Sequence, residues 1–256
     1  MATLKTNISY DIFTNPSTIW FDIILLLLAG VAGSIDVMSY FGLGHVFTAN
    51  MTGNTIMLGL SIGQGKLSSS LHSLAALAGF ISGAFLGAFM VESKAKNWNT
   101  YITRSIAVEG FIIVVFALLW YRHNQTQDDF SLYISIILSA IAMGLQSAAI
   151  RHLHIPGVVT TFITGTITSI GASAAKGLRQ GFKQPEKESI EDVPVAKNLE
   201  QRIHLQIMVF VAYLLTAVFT GWIENHVAGF LPVLPLLLII GVLVILLLNR
   251  HTIPNY

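Results

Sequence analysis

The stretch that decides the fold is residues 33–65, GSIDVMSYFGLGHVFTANMTGNTIMLGLSIGQG. It is largely apolar, yet it carries Asp36 and two asparagines, Asn50 and Asn54. A related stretch follows 112 positions later, because seven of the twenty residues at 46–65 recur at 158–177. The shared centre reads TGNT at 52–55 and TGT at 164–166. The repeat predicts two related halves that each contribute one polar, broken segment to a shared site.

Composition places the chain in a membrane. Of its 256 residues, 54% are hydrophobic and 11% are charged, whereas soluble domains carry about 25% charged residues. Several apolar runs reach the roughly 20 residues needed to cross a bilayer. We therefore predict an all-α, polytopic helical membrane protein, with the lipid bilayer as its first partner. The first 17 residues lack the pattern of a signal peptide, so none is expected to be removed.

Two classes of function are not expected from this composition. The net charge is +1 and no basic patch stands out, so nucleic acid is not an expected partner. The absence of cysteine excludes disulfides, thiolate metal sites and cysteine nucleophiles.

The apolar pattern predicts six firm spans and two doubtful segments within one membrane domain, 1–256. The spans are expected at 19–41, 71–91, 105–121, 130–150, 203–223 and 230–248. The doubtful segments are 51–63 and 158–175, and the first covers only about 20 Å of a core of about 30 Å. The repeat halves are then 19–121 and 130–248. A charged, water-exposed and partly helical loop is expected at 176–202.

The doubtful segments determine the symmetry. If they re-enter, there are six crossings and the halves are inverted; if they cross, there are eight and the halves are parallel. Six crossings leave 12 basic residues on the N-terminal side and 2 on the other, whereas eight leave 10 and 4. Cytoplasmic loops collect basic residues. Both arrangements therefore place the termini in the cytoplasm, and six crossings is the cleaner solution.

Paired, glycine-interrupted short segments in the two halves of a chain point to a transport site. A broken helix exposes backbone polar groups, which lipid tolerates only where they are buried in protein or face water. The positive end of each half-helix suits an anionic or carbonyl-bearing solute. Thr52 and Thr164, each followed by a glycine, could cap the half-helices. The predicted lining residues are Thr48, Asn50, Thr52, Gly53, Asn54, Thr55, Thr160, Thr161, Thr164, Gly165 and Thr166. The alternative is that these side chains only join helices in lipid.

Asp36 is the sharpest single residue, because it lies well inside the first span. A carboxylate there costs roughly 2.5–3.5 kcal/mol on insertion scales and is usually functional. Two roles stay open: a proton-coupling group, or a structural partner, most plausibly of Arg151. Gln146 corresponds to Ser34 in the repeat and is expected to line the same region.

The remaining features of the sequence say less about function. Gly79, Gly83 and Gly87 recur every four residues and predict a close helix contact, either internal or in a homo-oligomer. The histidines His45, His152 and His154 match no metal-ligand spacing, so no metal or other cofactor is expected. There is no G-x-S-x-G, HExxH or phosphate loop, so we do not expect an enzyme. An intramembrane hydrolase using Asp36 and His45 is a minor alternative.

Four pieces of the chain resemble a known family. They are the Gly33-to-Asp36 turn, FTANMTGNT at 47–55 followed by LG at 58–59, GLQSAAIR at 144–151 and PGVVTTFITGT at 156–166. Through them the chain resembles the YoaK-like family of bacterial integral membrane proteins. The resemblance implies a bacterial cytoplasmic (inner) membrane location and at most a permease-like role. It carries over no catalytic residue.

The residues favour a small-solute permease, with or without proton coupling, in which an unknown solute binds between 48–55 and 160–166. One alternative is a passive channel for a neutral solute. Another is a scaffold or sensor that acts through the loop 176–202.

Overall fold

The computed structural model describes residues 16–90, 98–126, 128–151, 163–182 and 192–249. These residues form eight α-helices, one short 3-10 turn and no strand. The helices are α1 (Pro16–Gly42), α2 (Met51–Gly63), α3 (Leu67–Met90), α4 (Trp98–Thr126), α5 (Asp129–Arg151), α6 (Ile163–Phe182), α7 (Asp192–Val227) and α8 (Val233–Leu248). The all-α prediction is confirmed for the described part of the chain.

Five of these helices are long and apolar enough to cross a membrane. The five stretches are Ile19–Gly42, Leu67–Met90, Tyr101–His123, Asp129–Arg151 and Ile203–Val227. The predicted span 230–248 forms the shorter apolar helix α8, whose 16 residues measure about 24 Å. The doubtful segment 51–63 coincides with α2, a helix of 13 residues. The chain is therefore a multi-pass helical membrane protein.

Two buried clusters show in which direction each long helix runs. In one cluster, the first halves of α1, α4 and α7 pack against the last halves of α5 and α8. The packed residues include Phe21, Ile24, Tyr101, Ile102, Leu205, Val209, Met143, Ile150, Val242 and Leu246. The other cluster collects the opposite ends, through Met38, Phe116, Trp120, Ile223, Ala76, Ile136 and Leu231. We name them the first and second clusters. Helices α1, α4 and α7 run toward the second cluster, and α3, α5 and α8 run away from it.

The glycine stripe of α3 makes an internal contact. A Cβ added at Gly79 would lie 2.9 Å from the Ile137 carbonyl oxygen, and one at Gly83 would overlap the Ile141 carbonyl. One at Gly87 would lie 2.8 Å from the Cβ of Ala148. Helix α5 thus lies directly on the backbone of α3, which explains the spacing of four residues.

The structure corrects one local expectation and agrees with another. The Gly33-to-Asp36 segment is not a turn, because α1 continues through it to Gly42. Gly33 instead admits α7, since a Cβ there would lie 2.5 Å from the Tyr213 carbonyl oxygen. The charged segment 176–202 is partly helical, as expected, because α6 extends to Phe182 and α7 begins at Asp192. Its centre, 183–191, lies outside the described residues.

Candidate functional site

Asp36 joins three parts of the molecule. It lies six residues before the end of α1 and is 2% exposed. Its Oδ1 accepts hydrogen bonds from the backbone N–H groups of Thr48 at 2.8 Å, Ala49 at 2.7 Å and Asn50 at 3.4 Å. Its Oδ2 accepts one from the hydroxyl of Tyr213 at 2.7 Å. One carboxylate therefore fastens α7 and the start of α2 to α1.

The backbone before α2 turns back so that this can happen. Gly44 and His45 both have positive φ, at 73° and 64°, a conformation that reverses the chain and favours glycine. A Cβ at Gly44 would also lie 2.5 Å from the ring of His72. The reversal returns the chain toward α1 and presents the N–H groups of Thr48, Ala49 and Asn50 to Asp36.

The pairing of Asp36 with Arg151, one of the two roles left open above, is not seen among the described residues, where both oxygens of Asp36 have other partners. The N–H groups just before a helix lack partners within it and carry partial positive charge. These N–H groups stabilise the charge of Asp36 in the way that an arginine would. Arg151 lies instead at the exposed C-terminal end of α5.

Two asparagines hold the start of α2. The side chain of Asn50 accepts the N–H of Gly53 at 3.4 Å and is the N-cap. Asn54 is fully buried; its Oδ1 accepts the Phe47 N–H at 2.9 Å and its amide donates to the Phe47 carbonyl. Thr52, which we expected to cap the helix, lies inside the first turn. Asparagine is among the best N-cap residues.

Three further predicted residues bond within the fold. The hydroxyl of Thr48 lies 3.2 Å from that of Ser39, and the hydroxyl of Thr55 donates to the Met51 carbonyl at 2.9 Å. The Gln146 amide donates to the Leu28 carbonyl at 3.0 Å and ties α5 to α1. The Gln146 contact joins two helices, the Thr48 contact joins the loop before α2 to α1, and the Thr55 bond stays within α2.

A cavity of about 740 Å³ opens beside this joint. It lies where the first turns of α2 and α6 face the last turn of α5 and the middle of α3 and α7. Its lining residues are Ala49, Asn50, Met51, Thr52, Phe80, Ser147, Arg151, Ile163, Thr164 and Tyr213. The cavity thus brings together the two repeated segments, which are 112 positions apart in the chain.

The structure places the second repeat as follows. Thr164 is exposed and lines the cavity, Gly165 is half-buried and Thr166 is buried. Thr164 belongs to the first turn of α6, which begins at Ile163, so it does not occupy the cap position. Thr160 and Thr161 lie outside the described residues. In the first repeat, Gly53 is half-buried, and a Cβ there would lie 2.8 Å from the Phe47 ring.

Sequence reasoning missed Tyr213, Phe80 and Ser147. Tyr213 is the most informative of these, because it both lines the cavity and bonds Asp36. A signal was present: membrane tyrosines concentrate at the interfaces, whereas Tyr213 lies well inside the stretch Ile203–Val227. A mid-span tyrosine needs a partner for its hydroxyl, and the nearby helix α1 offered Asp36.

Comparison with known proteins agrees with this description. Residues 24–248 match the family described as "Protein of unknown function (DUF1275)". The chain is also 36% identical over 222 residues to the "UPF0700 transmembrane protein YoaK" of Bacillus subtilis (strain 168), which covers 86% of this chain and 91% of that protein. No solved structure matches the chain significantly.

Proposed function

The chain belongs to this family of YoaK-like transmembrane proteins of unknown function, and on that premise we propose that it is a small-solute permease. The observation that carries the proposal is the shared cavity, into which the first turns of α2 and α6 both open. Two helices from corresponding halves, of 13 and 20 residues, start at this cavity, as paired helix ends do at the sites of many transporters. A volume of about 740 Å³ lies within the usual range for small-molecule sites.

The lining favours a small polar solute. Asn50, Thr52, Ser147 and Thr164 offer neutral donors and acceptors, and Arg151 adds a positive charge. Asp36 already occupies the donors before α2, so the positive charge available to a solute is on the side of α5 and α6. A solute with a carbonyl or carboxylate group fits this polarity.

We further infer that six helices cross the membrane and that α2 and α6 re-enter. Helix α1 ends and α3 begins at the second cluster, so the segment between them returns to the side from which it came. In the same way, α5 ends and α7 begins at the first cluster. Helices α1 and α5 run in opposite directions, which supports inverted halves.

The packing partners support the same symmetry. Helix α1 packs on α7 and α8, and its counterpart α5 packs on α3 and α4. Helix α2 packs on α3, and its counterpart α6 packs on α7. Exchanging the two halves therefore reproduces the contacts, and the cavity lies between them. With cytoplasmic termini, as the basic residues favour, α2 would enter from outside and α6 from the cytoplasm of a bacterial inner membrane.

The first test is solute uptake by purified protein in liposomes. Vesicles are incubated with a mixture of small bacterial metabolites and washed, and their contents are identified by mass spectrometry. We expect the wild type to enrich one class of small polar solute over protein-free vesicles. Thr52→Phe and Thr164→Phe each place a ring in the cavity and should abolish this enrichment.

Thr55→Phe is the matched control, because Thr55 is an exposed threonine of α2 outside the cavity lining. It should transport as the wild type does. Wild-type uptake by Thr52→Phe and Thr164→Phe, as well as by Thr55→Phe, would exclude the cavity as the route of the solute. Uptake that equilibrates but never follows an imposed proton gradient would identify a passive channel.

A further inference from the structure

Glu109 is a buried carboxylate that the site described above does not use. It lies in the membrane stretch Tyr101–His123 of α4 and has no exposed surface. Among the described residues, neither of its side-chain oxygens has a hydrogen-bond partner. Its situation is opposite to that of Asp36, whose two oxygens accept three backbone N–H groups and a hydroxyl.

One helical turn to either side of Glu109, α4 carries two buried residues, Ser105 and Ile113. The neighbour of Glu109 in the chain, Gly110, faces Leu243 and Ile239 of α8, where an added Cβ would lie 3.3 Å and 3.6 Å from their side chains. Helix α4 packs on α5 and α8 and touches α3, and the first cluster joins it to α1. Helix α8 contains no titratable side chain within Val233–Leu248.

The other packed helices carry few titratable or charged groups. These groups are Asp129, Tyr133 and Arg151 on α5, His72 on α3, and Asp22, Asp36 and Tyr40 on α1. Asp36 is directed at Tyr213 and the backbone of 48–50, Arg151 lines the cavity, and His72 contacts Tyr133. Within the part of the chain that the structure describes, none of these side chains is hydrogen-bonded to Glu109.

A carboxylate without water or a partner cannot keep its charge at reasonable cost. Burial of an isolated charge in an apolar medium is so unfavourable that the group takes up a proton instead. In a membrane helix such a group marks a proton or ion pathway. The neutral acid is the form that this packing accommodates.

We propose that Glu109 is the proton-binding site of the transport cycle. It holds a proton in the conformation described here and exchanges it with water only in a conformation that hydrates α4. The proton enters from one side, binds the carboxylate and leaves to the other side, and no other bond changes. This inference rests on the proposed permease function, and it gives the coupling role to Glu109 instead of Asp36.

The packing offers a link to the cavity. Helix α5 lies against α4, and its last turns supply Ser147 and Arg151 to the cavity lining. A displacement of α5 when solute binds would open the interface between α4 and α5 and could admit water to the buried face of α4. Solute binding and proton release would then be coupled through one helix.

The test is infrared spectroscopy of the full-length protein in lipid, titrated with pH. We expect the wild type minus Glu109→Gln difference to contain the carbonyl stretch of a protonated carboxylic acid at neutral pH. The matched control Asp129→Asn removes an exposed carboxylate of α5 and should leave that band in place. Absence of the band in the wild type would overturn the inference.

Uptake measurements test the coupling itself. Glu109→Gln should lose the accumulation that an inward proton gradient drives, and Glu109→Asp should retain part of it. If Glu109→Gln does not fold, the shift of the infrared band in Glu109→Asp identifies the group. Gradient-driven accumulation by a folded Glu109→Gln protein would refute the coupling role while leaving the permease function intact. If the wild type accumulates no solute, the permease proposal fails and the coupling role fails with it, whatever the infrared band shows.

Discussion

At the scale of single residues, the role of an intramembrane carboxylate depends on the donors around it. Asp36 and Glu109 are both buried acids of membrane helices. Asp36 receives the N–H groups that the start of α2 leaves free, so its charge is matched by its surroundings. Glu109 receives none among the described residues. The first acid is therefore a structural anchor, and the second is the one suited to exchange a proton.

Removal of the Asp36 anchor should destabilise the protein in a graded way. Asp36→Ala leaves the N–H groups of Thr48 and Ala49 and the Tyr213 hydroxyl unpaired, and each buried unpaired group costs about 1–3 kcal/mol. Asp36→Asn keeps an acceptor for the N–H groups, so its loss should be smaller. Thermal unfolding in detergent measures both.

Tyr213→Phe is the control for that series, because it removes only the bond to Oδ2. It should lower stability least of the three. A melting temperature of Asp36→Ala equal to that of Tyr213→Phe would contradict the role of the backbone N–H groups.

At the scale of helices, the closest contact is α3 against α5. Small residues in lipid allow backbones to approach, and packing then replaces the hydrophobic effect that membranes lack. Gly83 lies against the Ile141 carbonyl, and in return Gly144 of α5 lies against the Phe80 carbonyl. Phe80 belongs to the cavity lining, so this contact also positions one wall of the site.

Gly83→Ala should therefore separate α3 from α5. We expect a fall in thermal stability of several degrees and a loss of solute uptake, since the cavity wall moves with α3. The matched control is Gly221→Ala in α7, where an added Cβ meets nothing within 4 Å. Alanine there should be neutral or slightly stabilising, because it favours a helix over glycine by up to about 1 kcal/mol. Equal stability of the two variants would mean that the close contact is not needed.

At the scale of the whole molecule, the arrangement of the two halves leads to a topology prediction. Single cysteines at Lys66 and Arg151 can be labelled cleanly, because the chain has no native cysteine. With α2 and α6 re-entrant, Lys66 should react with an impermeant maleimide from outside intact cells, and Arg151 only after permeabilisation. The reversed pattern would indicate eight crossings and parallel halves.

The sequence by itself determined the class of fold and most of its elements. Apolar runs and glycine positions placed α2 at residues 51–63 and set the other helices to within a few residues, except at α4, α6 and α7, which extend further. Their extra turns are polar, because α-helix formation there depends on local propensity and not on hydrophobicity. The internal repeat also identified Thr52 and Thr164, and the polarity of the first segment identified Asn50; the cavity brings all three together.

The hydrogen-bond partners of the polar groups became clear from the three-dimensional structure alone. Polar residues such as Thr48, Asn54 and Gln146 are of the types that line binding sites. In the structure each of them is hydrogen-bonded to neighbouring backbone or side-chain groups. Tyr213 belongs to the site because its hydroxyl donates to Asp36. The other partners of Asp36 are backbone N–H groups and not Arg151, because the chain reverses at Gly44 and His45 and brings those groups to the carboxylate. A hydrogen bond needs a donor at about 3 Å with the right direction, and a linear pattern contains neither quantity.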